Sequence, residues 1–178
     1  LNTDNYQKYF KKDQVSQAEL LYATGNCALY LEEYEEAAQL LEDAVDIDEE
    51  NPDLYRDLAL ARAGENDVEE AEWNLRMAKR LGATEADVSL IQAEISHMYG
   101  ENQKAYEMAQ EALQKAPADM MGHAVSTYLL TAEACGHTKE SITYLVSHAA
   151  EMADSTRIYW LRRAAQEALK TGDTKTAE

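Results

Sequence analysis

Alanine returns at a fixed interval through most of the chain. Ala37, Ala71 and Ala105 stand 34 residues apart, and each is followed seven residues later by another alanine: Ala44, Ala78 or Ala112. Four residues after the first of each pair sit Leu41, Leu75 and Ala109. Steps of four and three keep these positions on one face of a helix. A face that recurs every 34 residues is the mark of one helical hairpin written three times, from Ala18 to Asp119. Such hairpins bury their apolar faces by stacking on one another.

The remaining composition agrees with an all-α fold. Apolar residues make up 46% of 178 positions, drawn mainly from Ala, Leu, Tyr and Met, with one Phe and two Pro. Strand-rich folds need more β-branched and aromatic residues and more turn formers. The net charge of −18 argues against nucleic acid and anionic membrane surfaces, which would repel the chain. From Asp13 to Asp53 there are thirteen Asp or Glu and no Lys or Arg. That run reads as a solvated outer face or as a docking face for a basic partner. Cys27 and Cys135 are too few for a disulfide framework or a zinc site and read as small buried hydrophobes. No apolar run has membrane-spanning length and no signal peptide is visible, so this fragment is not expected to insert into a membrane. The chain opens at Leu1 and stops in mid-pattern, as an excised piece would. A cytoplasmic setting is favoured over an exported domain of a membrane-anchored parent.

Taken in order, residues 1–17 carry Tyr6, Tyr9, Phe10 and Val15 at near-helical spacing. They read as one helix, the second of a cut repeat, covering the end of the first hairpin. That hairpin is 18–51: helix A carries Leu20, Leu21, Thr24, Ala28 and Leu31, and helix B carries Ala37, Ala38, Leu40, Leu41, Ala44 and Val45. Pro52 stops it and opens the next. The second hairpin, 52–85, has Leu54, Tyr55, Leu58, Ala59 and Ala61 on helix A. Its helix B buries Val68, Ala71, Leu75, Ala78 and Leu81, and Gly82 supplies a left-handed stop. The third, 86–119, follows the same scheme. Gly64, Gly100, Gly136 and Gly172 recur every 36 residues and are expected in the turns between helices. A fourth, degenerate hairpin (120–157) has Ser141 where alanine is expected, and a truncated fifth unit or capping helix fills 158–178. Trp73 and Trp160 read as packing residues.

With units starting at Ala18, Pro52 and Ala86, the eighth position holds Gly25, Ala59 and Ala93. The twentieth holds Ala37, Ala71 and Ala105, and the twenty-seventh Ala44, Ala78 and Ala112. The fourth holds Leu21, Tyr55 and Ser89, and Pro appears at the thirty-second once, as Pro117. This pattern resembles the tetratricopeptide repeat family, over about 100 residues closely and about 50 more loosely. The resemblance implies a right-handed superhelical array of antiparallel helix pairs, an α-solenoid whose helix-A faces line a concave groove for a protein or peptide. Carried to this sequence, the groove contacts are Tyr22, Asn26, Tyr30, Arg56, Leu60, Leu90, Glu94 and His97. Tyr, Leu and Met surfaces interleaved with acids suit an extended or helical peptide. The family's clamp for C-terminal carboxylates is not matched. Only Asn26 fits, while Asp57 and Asp87 stand where cations are required.

No catalytic or cofactor motif emerges. Asp46-Ile47-Asp48-Glu49-Glu50 lacks the glycine and the closing glutamate of a calcium loop. The four histidines lack zinc-ligand spacing, and there is no glycine-rich phosphate loop or nucleophile elbow. The reading is a non-catalytic protein-binding scaffold without cofactor or metal. The alternatives are an oligomerising structural segment, with self-association through exposed repeat ends, and the regulatory or sensory tail of a larger bacterial signalling protein such as a kinase.

Overall fold

A computed structural model describes residues 16–118, 120–149, 154–170 and 172. The expected first helix lies outside them except for its last two residues, as do residues 150–153 of the fourth unit and the end of the fifth. Among the described residues there are nine helices and no strand. They are α1 (Gln17–Tyr30), α2 (Tyr34–Val45), α3 (Pro52–Gly64), α4 (Val68–Leu81), α5 (Glu85–Met98), α6 (Asn102–Lys115), α7 (Met121–Cys135), α8 (Thr138–Ala149) and α9 (Asp154–Lys170). The chain divides into two compact units, Leu1–Thr84 and Glu85–Glu178.

In the first unit α1 packs on α2 and α3 on α4, α2 packs on α3, and α1 also touches α3. Local chemistry sets the boundaries. Ser16 and Glu19 form a capping box at the start of α1, and Asn51 caps α3 with Pro52 at its first position. Gly82 ends α4 at φ 110°. The core is Leu21, Ala28, Ala37, Ala38, Leu41, Ala44, Leu54, Leu58 and Ala61. Its small residues are dictated by close approach: a methyl group at Gly25 would lie 2.9 Å from Leu41 Cγ. Ala37, Ala44, Ala59 and Ala78 are fully enclosed.

The second unit repeats the scheme. Helices α5 and α6 form one pair and α7 and α8 another, α6 packs on α7, and α9 lies against α8 with a smaller contact to α7. Its core joins Leu90, Leu113, Val125, Tyr128, Ile142, Leu145 and Trp160 around the enclosed Ala93, Ala109 and Ala112. A row of aromatic rings runs through it. Tyr106 stacks on Tyr128 at 5.5 Å, Tyr128 meets Tyr144 edge-on at 5.7 Å, and Tyr144 stacks on His148 at 4.0 Å.

Several expectations need correcting. Cys27 is exposed, because the buried face of α1 runs through Leu21, Gly25 and Ala28 and Cys27 lies off it. Leu31 is 62% exposed: α1 ends at Tyr30, and the chain turns as Glu33 N–H bonds Ala28 O. Val68 is 45% exposed, since it only opens α4, whose packed face starts at Ala71. Trp73 is also 45% exposed and is covered on one side by Tyr55. Gly64 is not a turn residue but the last residue of α3. The left-handed positions of the first three turns are Glu32, Asn66 and Gly100, again 34 residues apart. Gly64 serves a different need, since a methyl there would overlap the Tyr34 ring.

Gly64→Ala is therefore expected to destabilise the first unit by about 1–3 kcal/mol through overpacking. Urea unfolding checks this, and the penalty should vanish in a Tyr34→Ala background, where the methyl has room.

Candidate functional site

The sequence-based site residues fall into two sets, one on each unit. In the first, α1 and α3 bring Tyr22 and Arg56 together around a residue that family positions did not select. Asp57 is 7% exposed. Its Oδ2 accepts from the Tyr22 hydroxyl at 2.9 Å, and its Oδ1 accepts from Arg56 Nε at 2.8 Å. Arg56 Nη2 donates to Asp57 Oδ2 and to the Tyr22 oxygen, both at 3.2 Å, while Nη1 reaches Asp53 Oδ1 at 2.7 Å. The planar guanidinium thus uses its fork on one carboxylate and its far end on another. Burial disfavours its charge, but the bonds and charges of Asp57 and Asp53 outweigh that and hold the proton more firmly than usual.

Around this knot the remaining candidates differ. Asn26 is half-buried one turn beyond Tyr22. Leu60 is half-buried one turn beyond Arg56. Tyr30 is 89% exposed, a large aromatic surface left to solvent.

In the second unit Leu90 is fully enclosed and is a core residue, so it offers nothing to a partner. It belongs to the same core cluster as Leu113, Val125 and Tyr128. Glu94 is half-buried, and its Oε1 lies 2.5 Å from His123 Nε2 and 2.6 Å from Thr127 Oγ1, which donates to it. His97 sets Nδ1 3.0 Å from Asn102 Oδ1 at the end of α5. Farther along, Tyr159 of α9 donates to Gly122 O of α7 at 3.1 Å.

Asp57, His123, Thr127 and Tyr159 were therefore missed. A usable signal exists for three of them. The hydroxyl bonds Tyr22–Asp57 and Thr127–Glu94, and the Tyr159–Ser126 contact at 3.4 Å, link residues 35, 33 and 33 positions apart. Polar pairs one repeat apart, give or take one, thus join neighbouring first helices of each hairpin.

The buried hydroxyls give this geometry a pH signature. Burial first, and the Asp57 charge second, push Tyr22 from 10.0 up to about 12; burial also pushes Tyr128 up. Above pH 10 the unfolded chain releases protons that the folded chain still holds, so stability is full below pH 10 and falls as pH rises through about 12. Urea unfolding between neutral pH and pH 11 should show this loss, with a smaller slope in Tyr22→Phe. Absorbance near 295 nm should show tyrosines that ionise only on unfolding.

No family model matches the sequence, and no curated protein matches it significantly. Solved structures do. The chain is similar to pilF of Pseudomonas aeruginosa, a protein containing tetratricopeptide repeats, at 18% identity over 90% of this chain and 87% of that one, with a TM-score of 0.52. The fold is that of tetratricopeptide repeats. A MamA RS-1 double mutant also matches, at 17% identity over 91% of this chain and 89% of that one, with a TM-score of 0.46. Within the tetratricopeptide fold, α1, α3, α5 and α7 are the first helices of their hairpins, and each of the eight residues selected from the sequence lies on one of them. Among the described residues no helix is long and apolar enough to cross a membrane.

Proposed function

We propose that the chain is a non-catalytic scaffold that binds a protein or peptide along the first-helix faces of its tetratricopeptide hairpins. The observation that carries this is the Tyr22–Arg56–Asp57 knot. It fixes α1 against α3 and leaves Asn26, Leu60 and the solvent-exposed Tyr30 on helices already held in place. A preorganised surface spares a ligand the cost of ordering its receptor, and an exposed rigid aromatic is a strong anchor for a peptide. Arg56 is already committed to Asp53 and Asp57, so the face has a surplus of acid and favours a basic ligand.

The test uses a peptide selected from a random display library against the purified chain. Tyr30→Ser, a surface change, is expected to weaken that peptide about tenfold or more while leaving the unfolding transition unchanged. Equal affinity for the variant and the parent would count against this face as the binding surface.

A second reading, self-association, draws on a different observation. Ile158 is 65%, Leu161 41% and Leu169 61% exposed on α9, an apolar stripe at helical spacing. Sedimentation equilibrium tests it: association that disappears in Ile158→Ser/Leu161→Ser supports it, and a monomer at all concentrations removes it.

A further inference from the structure

The first hairpin's turn departs from its equivalents. One repeat apart, the three turns read Leu31-Glu32-Glu33, Glu65-Asn66-Asp67 and Tyr99-Gly100-Glu101. Leu31, 62% exposed, stands where the second turn has a glutamate. Glu32 takes a left-handed conformation at φ 60°, where the next turns use Asn66 and Gly100, residue types that adopt it more readily.

The two turns of the first unit lie at the same end, because the start of α2 meets the end of α3 where Tyr34 covers Gly64. That end presents two apolar side chains to solvent: Leu31 from the first turn, and Val68, 45% exposed, from the second. Around them stand Glu32, Glu33 and Glu35 on one turn and Glu65, Asp67 and Glu69 on the other. The only lysines or arginines between Ser16 and Leu75 are Arg56 and Arg62. Arg56 is held by Asp53 and Asp57. Arg62 is bound to Glu42 and, at 2.8 Å, to Glu65. Apolar surface ringed by acid, with the nearby cations already committed internally, is complementary to one kind of occupant.

We propose that the turn end of the first unit, centred on Leu31 and Val68, docks a basic segment of a partner protein that carries an apolar anchor. This rests on the scaffold reading but uses a surface distinct from the first-helix face. The anchor covers Leu31 and Val68, and flanking Lys or Arg side chains meet the glutamates of both turns. Ile47, 51% exposed between Asp46 and Asp48, has similar surroundings but stands alone, and it serves as the control.

The probe is a fluorescein-labelled peptide, Lys-Arg-Lys-Leu-Phe-Leu-Lys-Arg-Lys, titrated by fluorescence anisotropy at about 0.15 M salt, where long-range attraction is screened. Leu31→Ser/Val68→Ser is expected to weaken binding about tenfold or more, with an unchanged circular dichroism spectrum and unfolding transition. Ile47→Ser should bind as the parent does, and a probe with Ser in place of its three apolar residues should bind the parent more weakly. Equal affinity of Leu31→Ser/Val68→Ser and the parent overturns the proposal. If Asn26→Ala alone loses the probe, the turn-end proposal falls while the first-helix reading stands. If no saturable binding occurs at all, the turn-end proposal falls, and the first-helix reading is still decided by its own selected peptide.

Discussion

Trp160→Ala is expected to destabilise the second unit by about 3–5 kcal/mol, the range for removing a large aromatic from a packed core. Trp160 is 1% exposed and belongs to the same core as Leu145, Ala149, Ala164 and Ala168. It ties α9 to the α7–α8 pair, so its loss should release α9 first. Trp160→Phe should cost far less. The indole N–H finds no acceptor among the described residues, and phenylalanine removes that unpaired donor while keeping most of the ring. Urea unfolding of both variants checks the contrast. A Phe variant as damaged as the Ala variant would mean that indole shape, not ring burial, holds α9.

Arg56→Met is expected to cost about 2–3 kcal/mol. Breaking a buried ion pair by removing one partner costs about 3–5 kcal/mol, and the value here is lower because the Arg56 and Asp57 side chains keep 19% and 10% of their exposure. The loss comes from Asp57, left nearly buried with the Tyr22 hydroxyl of α1 donating to it. Arg56→Met/Asp57→Leu should recover most of the stability, since an apolar pair of similar volume replaces the buried charges. Arg56→Lys should fall between, because an ammonium cannot make the forked contact. Binding assays on Arg56 variants thus mix structural loss with lost contact, which makes Tyr30 the better probe of the face.

The hairpins were legible because helices that cross closely admit only small side chains, and Gly25, Ala37, Ala44, Ala71 and Ala78 mark those crossings at a constant interval. Pro52 and Gly82 were legible as boundaries for a backbone reason. What periodicity could not place lies at helix ends. There the phase that buries Ala28 or Ala71 no longer applies to Leu31 or Val68. Gly64 was misread because a glycine can serve a left-handed turn or a close approach, and only the neighbouring Tyr34 ring distinguishes them. Asn66, two residues on, carries the left-handed turn instead. Of the site, sequence reasoning selected Tyr22 and Arg56, which do meet, but not Asp57, which joins them. It selected Glu94 without His123 and Thr127, which come from the next hairpin. Leu90 was chosen by its place in the repeat, yet the packing of α5 against α6 and α7 encloses it.

The central claim is that the first-helix faces bind a peptide, and a hydrogen-exchange footprint of the selected peptide on the intact chain tests it most directly. Added protection in α1 from Tyr22 to Tyr30 and in α3 from Arg56 to Leu60, with α2 and α4 unchanged, is the expected result. Protection confined to α2 and α4, or none at saturating peptide, would contradict it.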